Sequence, residues 1–159
     1  MEKLKQECIF EDLQVIPLTT QDVPEALSVL SNALFSKGMV KEGFKEAVIK
    51  REGIFPTGIP TPTPAAIPHA DSEFCLKNAM AVGLAATPIP FGVMGGEEGE
   101  TIDLKLVFML SLPNPKSQVP MIQKMVQMLR DDEMMRQLAN SDLTVMKNLL
   151  ESYFQTGCL

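Results

Sequence analysis

The stretch "LKLVFMLSL", Leu104 to Leu112, constrains this chain more than any other. Successive residues of a strand face opposite sides of a sheet, so a nearly unbroken apolar run is apolar on both faces. Such a strand belongs at the centre of a sheet, covered above and below. The segments around it must supply that cover.

They have the periodicities to do so. Ile9 to Leu18, with "LQVIPL", reads as a strand. A helix is expected from Asp22 to Lys37, with Asp22 and Glu25 as a capping pair, Pro24 in the first turn and Gly38 as the stop. A second covers Lys41 to Glu52, with Phe44, Ala47 and Val48 as its apolar stripe and Gly53 as its breaker. Arg51 lies three residues beyond Val48, so its guanidinium should lean toward the body of the protein. Ile54 to Pro68 reads as a proline-punctuated loop whose extended end, "AAIPHA", can pair with a strand at one edge. Ala79 to Ala85 reads as a strand, and Phe91 to Glu100 as a solvated, acidic turn. Helices follow at Ser117 to Leu129 (Val119, Ile122, Val126 and Leu129 inward), Asp132 to Ala139 and Asp142 to Phe154. This order is that of an α/β protein. The short link from Ala85 to Leu104 permits a hairpin, so the sheet should be mixed.

A chain of 159 residues suits one domain spanning 1–159. Its net charge of −6 argues against nucleic acid as a partner, because such binding needs a cationic footprint. No uncharged apolar run reaches the roughly 18–20 residues of a membrane span. "MEKLKQECIF" has no apolar signal segment, so a cytoplasmic location is expected. Cys8, Cys75 and Cys158 are odd in number and far apart, and one histidine cannot complete a zinc set, so free thiols and no metal are expected. The "GGEEGE" turn lacks the lysine and hydroxyl of a phosphate loop. Met121, Met125 and Met128 fall at core spacings.

His69 is the one histidine, and four of the ten positions before it are proline. A lone histidine is most often a packed or solvated residue. A stiff approach loses little entropy on ordering and can hold a short side chain at a fixed point. A base, a metal ligand and a nucleophile are all open to imidazole. With no second histidine and no serine or cysteine in a nucleophile motif, a nucleophilic imidazole needs the least further machinery.

"GIPTPTPAAIPHAD" resembles the active-site segment of the enzyme IIA components of the sugar phosphotransferase system, in the fructose–mannitol superfamily. "REGIFPTGIPT", "KNAMAVGLAATPIPFGVMG" and "IDLKLVFMLSLP" are similar to the family's Arg-Glu stretch and following strands, and "FPTGIPT" with "IPHAD" resembles the galactitol-type branch most. The resemblance implies a three-layer α/β/α sandwich with a mixed central sheet. It implies that His69 accepts a phosphoryl group from the phosphocarrier HPr and passes it to a cysteine of enzyme IIB, serving the membrane component IIC. It makes Arg51 the active-site arginine, suited to a bidentate phosphate clamp. Thr57, Thr61 and Thr63 can donate hydroxyls to phosphate. Gln118 stands where mannitol- and fructose-type members carry a second histidine, and can donate but not carry charge. Phe74 stands near where several galactitol-type members carry one. Ile67, Phe74, Ile89 and Phe91, with an acidic rim, are candidates for a docking patch. Two other readings remain: a regulatory relative, whose phosphorylation controls protein partners, and an interaction domain in which His69 is structural.

Overall fold

The computed structural model describes residues 10–155; Cys8, Ile9 and Cys158, named above, lie outside them. The strands are β1 (Asp12–Leu18), β2 (Gly58–Ile59), β3 (Ala65–Ala66), β4 (Ala79–Gly92) and β5 (Thr101–Ser111). They form one mixed sheet in the order β1-β4-β5-β3-β2, which puts β5 in the middle. β5 pairs antiparallel with β4 and parallel with β3, and β1 runs parallel to β4.

The helices are α1 (Val23–Ser36), α2 (Phe44–Ile54), α3 (Pro115–Leu129), α4 (Asp132–Asn140) and α5 (Leu143–Gln155). Alternate residues of β5 face two separate cores. Val107 and Met109 pack with Leu27, Leu30 and Leu34 of α1 and Phe44 and Val48 of α2. Leu106, Phe108 and Leu110 pack with Met125 and Met128 of α3, Leu138 of α4 and Met146, Leu150 and Phe154 of α5. The result is a three-layer α/β/α sandwich, in which the apolar run is covered on both faces as its composition requires.

Local signals set most boundaries. The Asp22 carboxylate accepts from the Glu25 N–H and caps α1, and Asn114 caps α3 by accepting from the Lys116 N–H. Several boundaries and one helix face differ from expectation. α2 begins at Phe44 rather than Lys41, because the chain turns through Gly43 at φ +102°, a left-handed conformation that glycine adopts freely. α2 runs through Gly53 to Ile54, since one glycine in a last turn costs only about 1 kcal/mol. β4 continues past Ala85 to Gly92 through an irregularity between Leu84 and Ile89. β1 stops opposite Ala85, so beyond that point β4 has a free edge where Pro88 and Pro90 break no ladder. In α3, Val119 is 63% exposed, and the inward face is instead Met125, Met128 and Leu129, with Ile122 and Val126 half-buried.

Gly58 shows how tightly β2 is seated. A Cβ there would stand 2.6 Å from the Gly92 carbonyl oxygen, a backbone atom that cannot swing away. Gly58→Ala is expected to cost about 1–3 kcal/mol, the usual range for overpacking, read as a lower urea midpoint with unchanged slope.

Candidate functional site

β3 runs parallel to β5, and both deliver their C-terminal ends to the same rim of the sheet. After β3 the chain continues as Ile67-Pro68-His69, and the Pro68 carbonyl accepts from the Leu110 N–H at 3.0 Å. Proline fixes its own φ and holds its predecessor extended, so this approach is rigid as well as hydrogen-bonded. His69 is buried, with 8% of its surface exposed. Its Nδ1 lies 2.8 Å from the Ile67 carbonyl oxygen. A carbonyl can only accept, so Nδ1 carries the proton and the lone pair resides on Nε2.

The ring is also kept neutral. Burial pushes the His69 pKa below its ordinary 6.5; the Ile67 carbonyl opposes this, Arg51 adds to it and Asp71 opposes it. A neutral imidazole with a free Nε2 is a nucleophile at neutral pH. Because His69 is the sole histidine, its NMR titration is unambiguous, and the midpoint is expected below 6.5. The sign for stability follows. The unfolded chain takes up the proton first, so the contribution of neutral His69 is full above 6.5 and is lost as pH falls toward the folded value. Urea melts at pH 7.5 and 5 should therefore show wild type losing stability relative to His69→Gln at the lower pH.

Arg51, in the last turn of α2, reaches the same rim. Its Nη1 lies 3.7 Å from Asp71 Oδ1, and its guanidinium carbon sits 5.5 Å from the centre of the Phe55 ring. Its Nε is buried and has no hydrogen-bond partner, so a charged donor stands unsatisfied beside the histidine segment. Arg51 thus leans inward as its helical position predicts, while its side chain keeps 38% exposure. Gln118, in the first turns of α3, donates from Nε2 to the Ala70 carbonyl at 3.3 Å and to the Leu112 carbonyl at 3.5 Å. His69, Arg51 and Gln118 therefore converge on residues 69–71.

The threonines do not join them. Thr57 is buried, donates its hydroxyl proton to Glu52 and accepts from the Ile67 N–H, so it has no hydrogen left for an incoming oxyanion. Thr63 stands in the turn before β3, at the other end of that strand from His69, and its carbonyl accepts from the Thr61 hydroxyl. The apolar candidates are also revised. Ile67, Ile89 and Phe91 are fully buried: the proline-rich segment before His69 packs against β5 instead of looping outward, and Ile89 and Phe91 lie on the extended end of β4, paired with β5. Phe74 is half-buried and lines a cleft of about 540 Å³ with Arg51, Phe55, Asp71 and Glu46. The exposed apolar side chains next to Arg51 are Ile54 and Phe55.

Glu52 had no place in the sequence-based site. It is 7% exposed, and burial raises its pKa while its two hydrogen bonds from Thr57 and the nearby Arg51 pull it back. Its signal was spacing: Phe44, Val48 and Glu52 are four residues apart on one helical face. Cys75 is a free, buried thiol whose pKa burial raises, which makes it a poor nucleophile. Among the described residues, no cluster of histidine, cysteine and carboxylate side chains fits a metal ion.

Comparison with known proteins places the chain in a family. The family described as "Phosphoenolpyruvate-dependent sugar phosphotransferase system, EIIA 2" matches residues 4–152. The galactitol-specific EIIA component of the phosphotransferase system from Escherichia coli K12 is 26% identical over 134 residues, covering 84% of this chain and 85% of that protein. The crystal structure of IIA mannitol from Escherichia coli superposes with a TM-score of 0.66 at 21% identity, covering 87% of this chain and 94% of that one. The complex of enzyme IIAMTL and phosphorylated enzyme IIBMTL from the same organism gives a TM-score of 0.65 at 21% identity, covering 87% of this chain and 92% of that one. With nearly all of its length matched, the chain belongs to the type 2 enzyme IIA family of the phosphoenolpyruvate-dependent sugar phosphotransferase system.

Proposed function

We propose that this chain, acting as a single enzyme IIA domain in the cytoplasm, carries a phosphoryl group on His69 Nε2 between HPr and a cysteine of enzyme IIB. The observation that carries this reading is the 2.8 Å contact of Nδ1 with the Ile67 carbonyl, which commits one ring nitrogen and leaves the other as nucleophile. In the first transfer the bond from phosphorus to the HPr histidine breaks as the bond to Nε2 forms. In the second, the bond to Nε2 breaks as a phosphorus–sulfur bond forms on IIB. Both pass through a loose, in-line transition state with charge on the equatorial oxygens. Arg51, with its unpartnered Nε, is the group that neutralises that charge. The ring carrying phosphate becomes cationic, and the Nδ1–H bond to Ile67 stabilises it.

The relatives support an enzyme IIB partner and the sugar class. A galactitol-specific EIIA component is similar over most of this chain, and a protein of the same fold forms a complex with a phosphorylated enzyme IIB. We assign the transported sugar to the galactitol class, taken up through a membrane component IIC. Among the described residues, no helix is long and apolar enough to cross a membrane, in keeping with a carrier that shuttles between partners. The cleft beside Arg51, with Phe55 and Ile54 apolar and Glu46, Asp71 and Glu73 acidic, suits a transient partner with an apolar centre and basic rim. The test is transfer: purified chain labelled from phospho-HPr should lose its label to a galactitol-type IIB but not to that IIB with its cysteine changed to serine. Label that stays on the chain in the presence of competent IIB would refute the onward step.

A further inference from the structure

Beneath His69 lies a chain of hydrogen bonds that the transfer chemistry above does not use. Both carboxylate oxygens of Glu52 are engaged by Thr57: the N–H donates to Oε2 at 2.8 Å and the hydroxyl donates to Oε1 at 2.9 Å. Having given its one hydroxyl proton to the carboxylate, Thr57 Oγ1 accepts from the Ile67 N–H at 3.1 Å. The carbonyl of that same Ile67 then accepts from His69 Nδ1. On the far side, the Pro68 carbonyl is held by the Leu110 N–H. A buried carboxylate is expensive, and Glu52 has no ion pair within 4 Å among the described residues to offset it. Packing alone would be served as well by glutamine, whose amide oxygen can still accept from Thr57.

We propose that Glu52, acting through Thr57 and the Ile67 backbone, is a positioning residue that fixes His69 as the Nδ1–H tautomer and so reserves Nε2 for the phosphoryl group; the second half of this rests on the phosphohistidine reading above. A carboxylate can only accept, so it takes both Thr57 hydrogens and leaves the Thr57 oxygen as the acceptor for the Ile67 N–H; the peptide groups fix the remaining directions themselves, and Glu52 fixes the place at which the Ile67 carbonyl meets His69. Thr57 must point its proton down, its oxygen must accept from Ile67, and the Ile67 backbone is held on both sides. The short side chain of His69 then meets a carbonyl fixed in place, not a mobile loop. An amide at position 52 would present a donor as well as an acceptor, and the threonine rotor would lose its fixed direction.

The test needs no partner protein in its first arm. The chain labelled with ¹⁵N-histidine yields the tautomer of His69 directly from long-range ¹H–¹⁵N correlation. Wild type should show only the Nδ1–H form. Thr57→Val, which keeps the shape and removes the hydroxyl, and Glu52→Gln should both show a mixture with the Nε2–H form. Their labelling by phospho-HPr should slow about tenfold to a hundredfold, the scale of a misplaced reacting group. Thr57→Ser should restore the single tautomer and the rate. Folded Thr57→Val and Glu52→Gln that keep the pure Nδ1–H form, whatever their rate, would overturn the proposal and reduce Glu52 to a packing role. If Glu52→Gln does not fold, the Thr57→Val and Thr57→Ser pair decides alone. A tautomer shift in a chain that active phospho-HPr does not label would support the positioning and refute the carrier reading instead.

Discussion

Replacing His69 with glutamine is expected to abolish labelling by phospho-HPr while leaving the fold intact. The chain has no other histidine to take over. Two other candidate nucleophiles are disarmed: Cys75 is buried with a raised pKa, and the one proton of the Ser111 hydroxyl is held by the Lys77 carbonyl at 2.7 Å, with the Met39 carbonyl at 3.2 Å as its alternative acceptor. Glutamine can keep an N–H directed at the Ile67 carbonyl, so the buried acceptor is not orphaned. Amide spectra and urea melts should therefore stay close to wild type at neutral pH, while incorporation of acid-labile phosphate falls to background. A folded His69→Gln chain that still labels would move the acceptor elsewhere.

The second large effect is expected at Arg51. Arg51→Ala should label about a hundredfold to a thousandfold more slowly, the usual loss when a preorganised donor is removed from developing charge. Arg51→Lys should recover part of that loss, because it restores charge but not two parallel hydrogen bonds. Stability should barely respond. The pair with Asp71 is long, at 3.7 Å, and lies on the rim, where an ion pair contributes about 0–1 kcal/mol. A rate loss without a stability loss separates a clamp from a helix-end cation. Equal rates for wild type and folded Arg51→Ala would remove Arg51 from the transfer.

How far these features were legible in the residues depended on whether the deciding force was local. The run at β5 declared its own burial, since its large apolar residues are almost unbroken and alternate ones enter the two cores. The Asp22 cap and the Ala85–Leu104 hairpin were equally local. The extent of β4 was not. "ATPIP" reads as a break, and only the end of β1 opposite Ala85 makes those prolines harmless. Ile67, Ile89 and Phe91 looked available for docking for a similar reason: proline-rich context resembles surface, and the pairing of β3 with β5 that buries Ile67 is a long-range event.

The histidine neighbourhood divides the same way. His69 stood out because rigidity is written in the prolines before it, and the inward lean of Arg51 was written in its helical position. The approach of Gln118 to Ala70 joins residues far apart in the chain and depends on where α3 starts relative to β5. Thr57 was misjudged because hydroxyls advertise a donor but not its recipient. The carboxylate that takes its proton, Glu52, is visible as a member of the Phe44–Val48 stripe only when a charged residue is allowed to be buried.

The central claim is that His69 Nε2, and no other atom, bears the phosphoryl group. The direct measurement is the ¹⁵N-histidine spectrum of the purified chain before and after incubation with enzyme I, HPr and phosphoenolpyruvate. The account predicts that the single ring changes from a neutral Nδ1–H form to one with phosphorus bonded at Nε2 and the proton still on Nδ1. Phosphorus bonded at Nδ1, or an unchanged ring beside fully phosphorylated HPr, would contradict it.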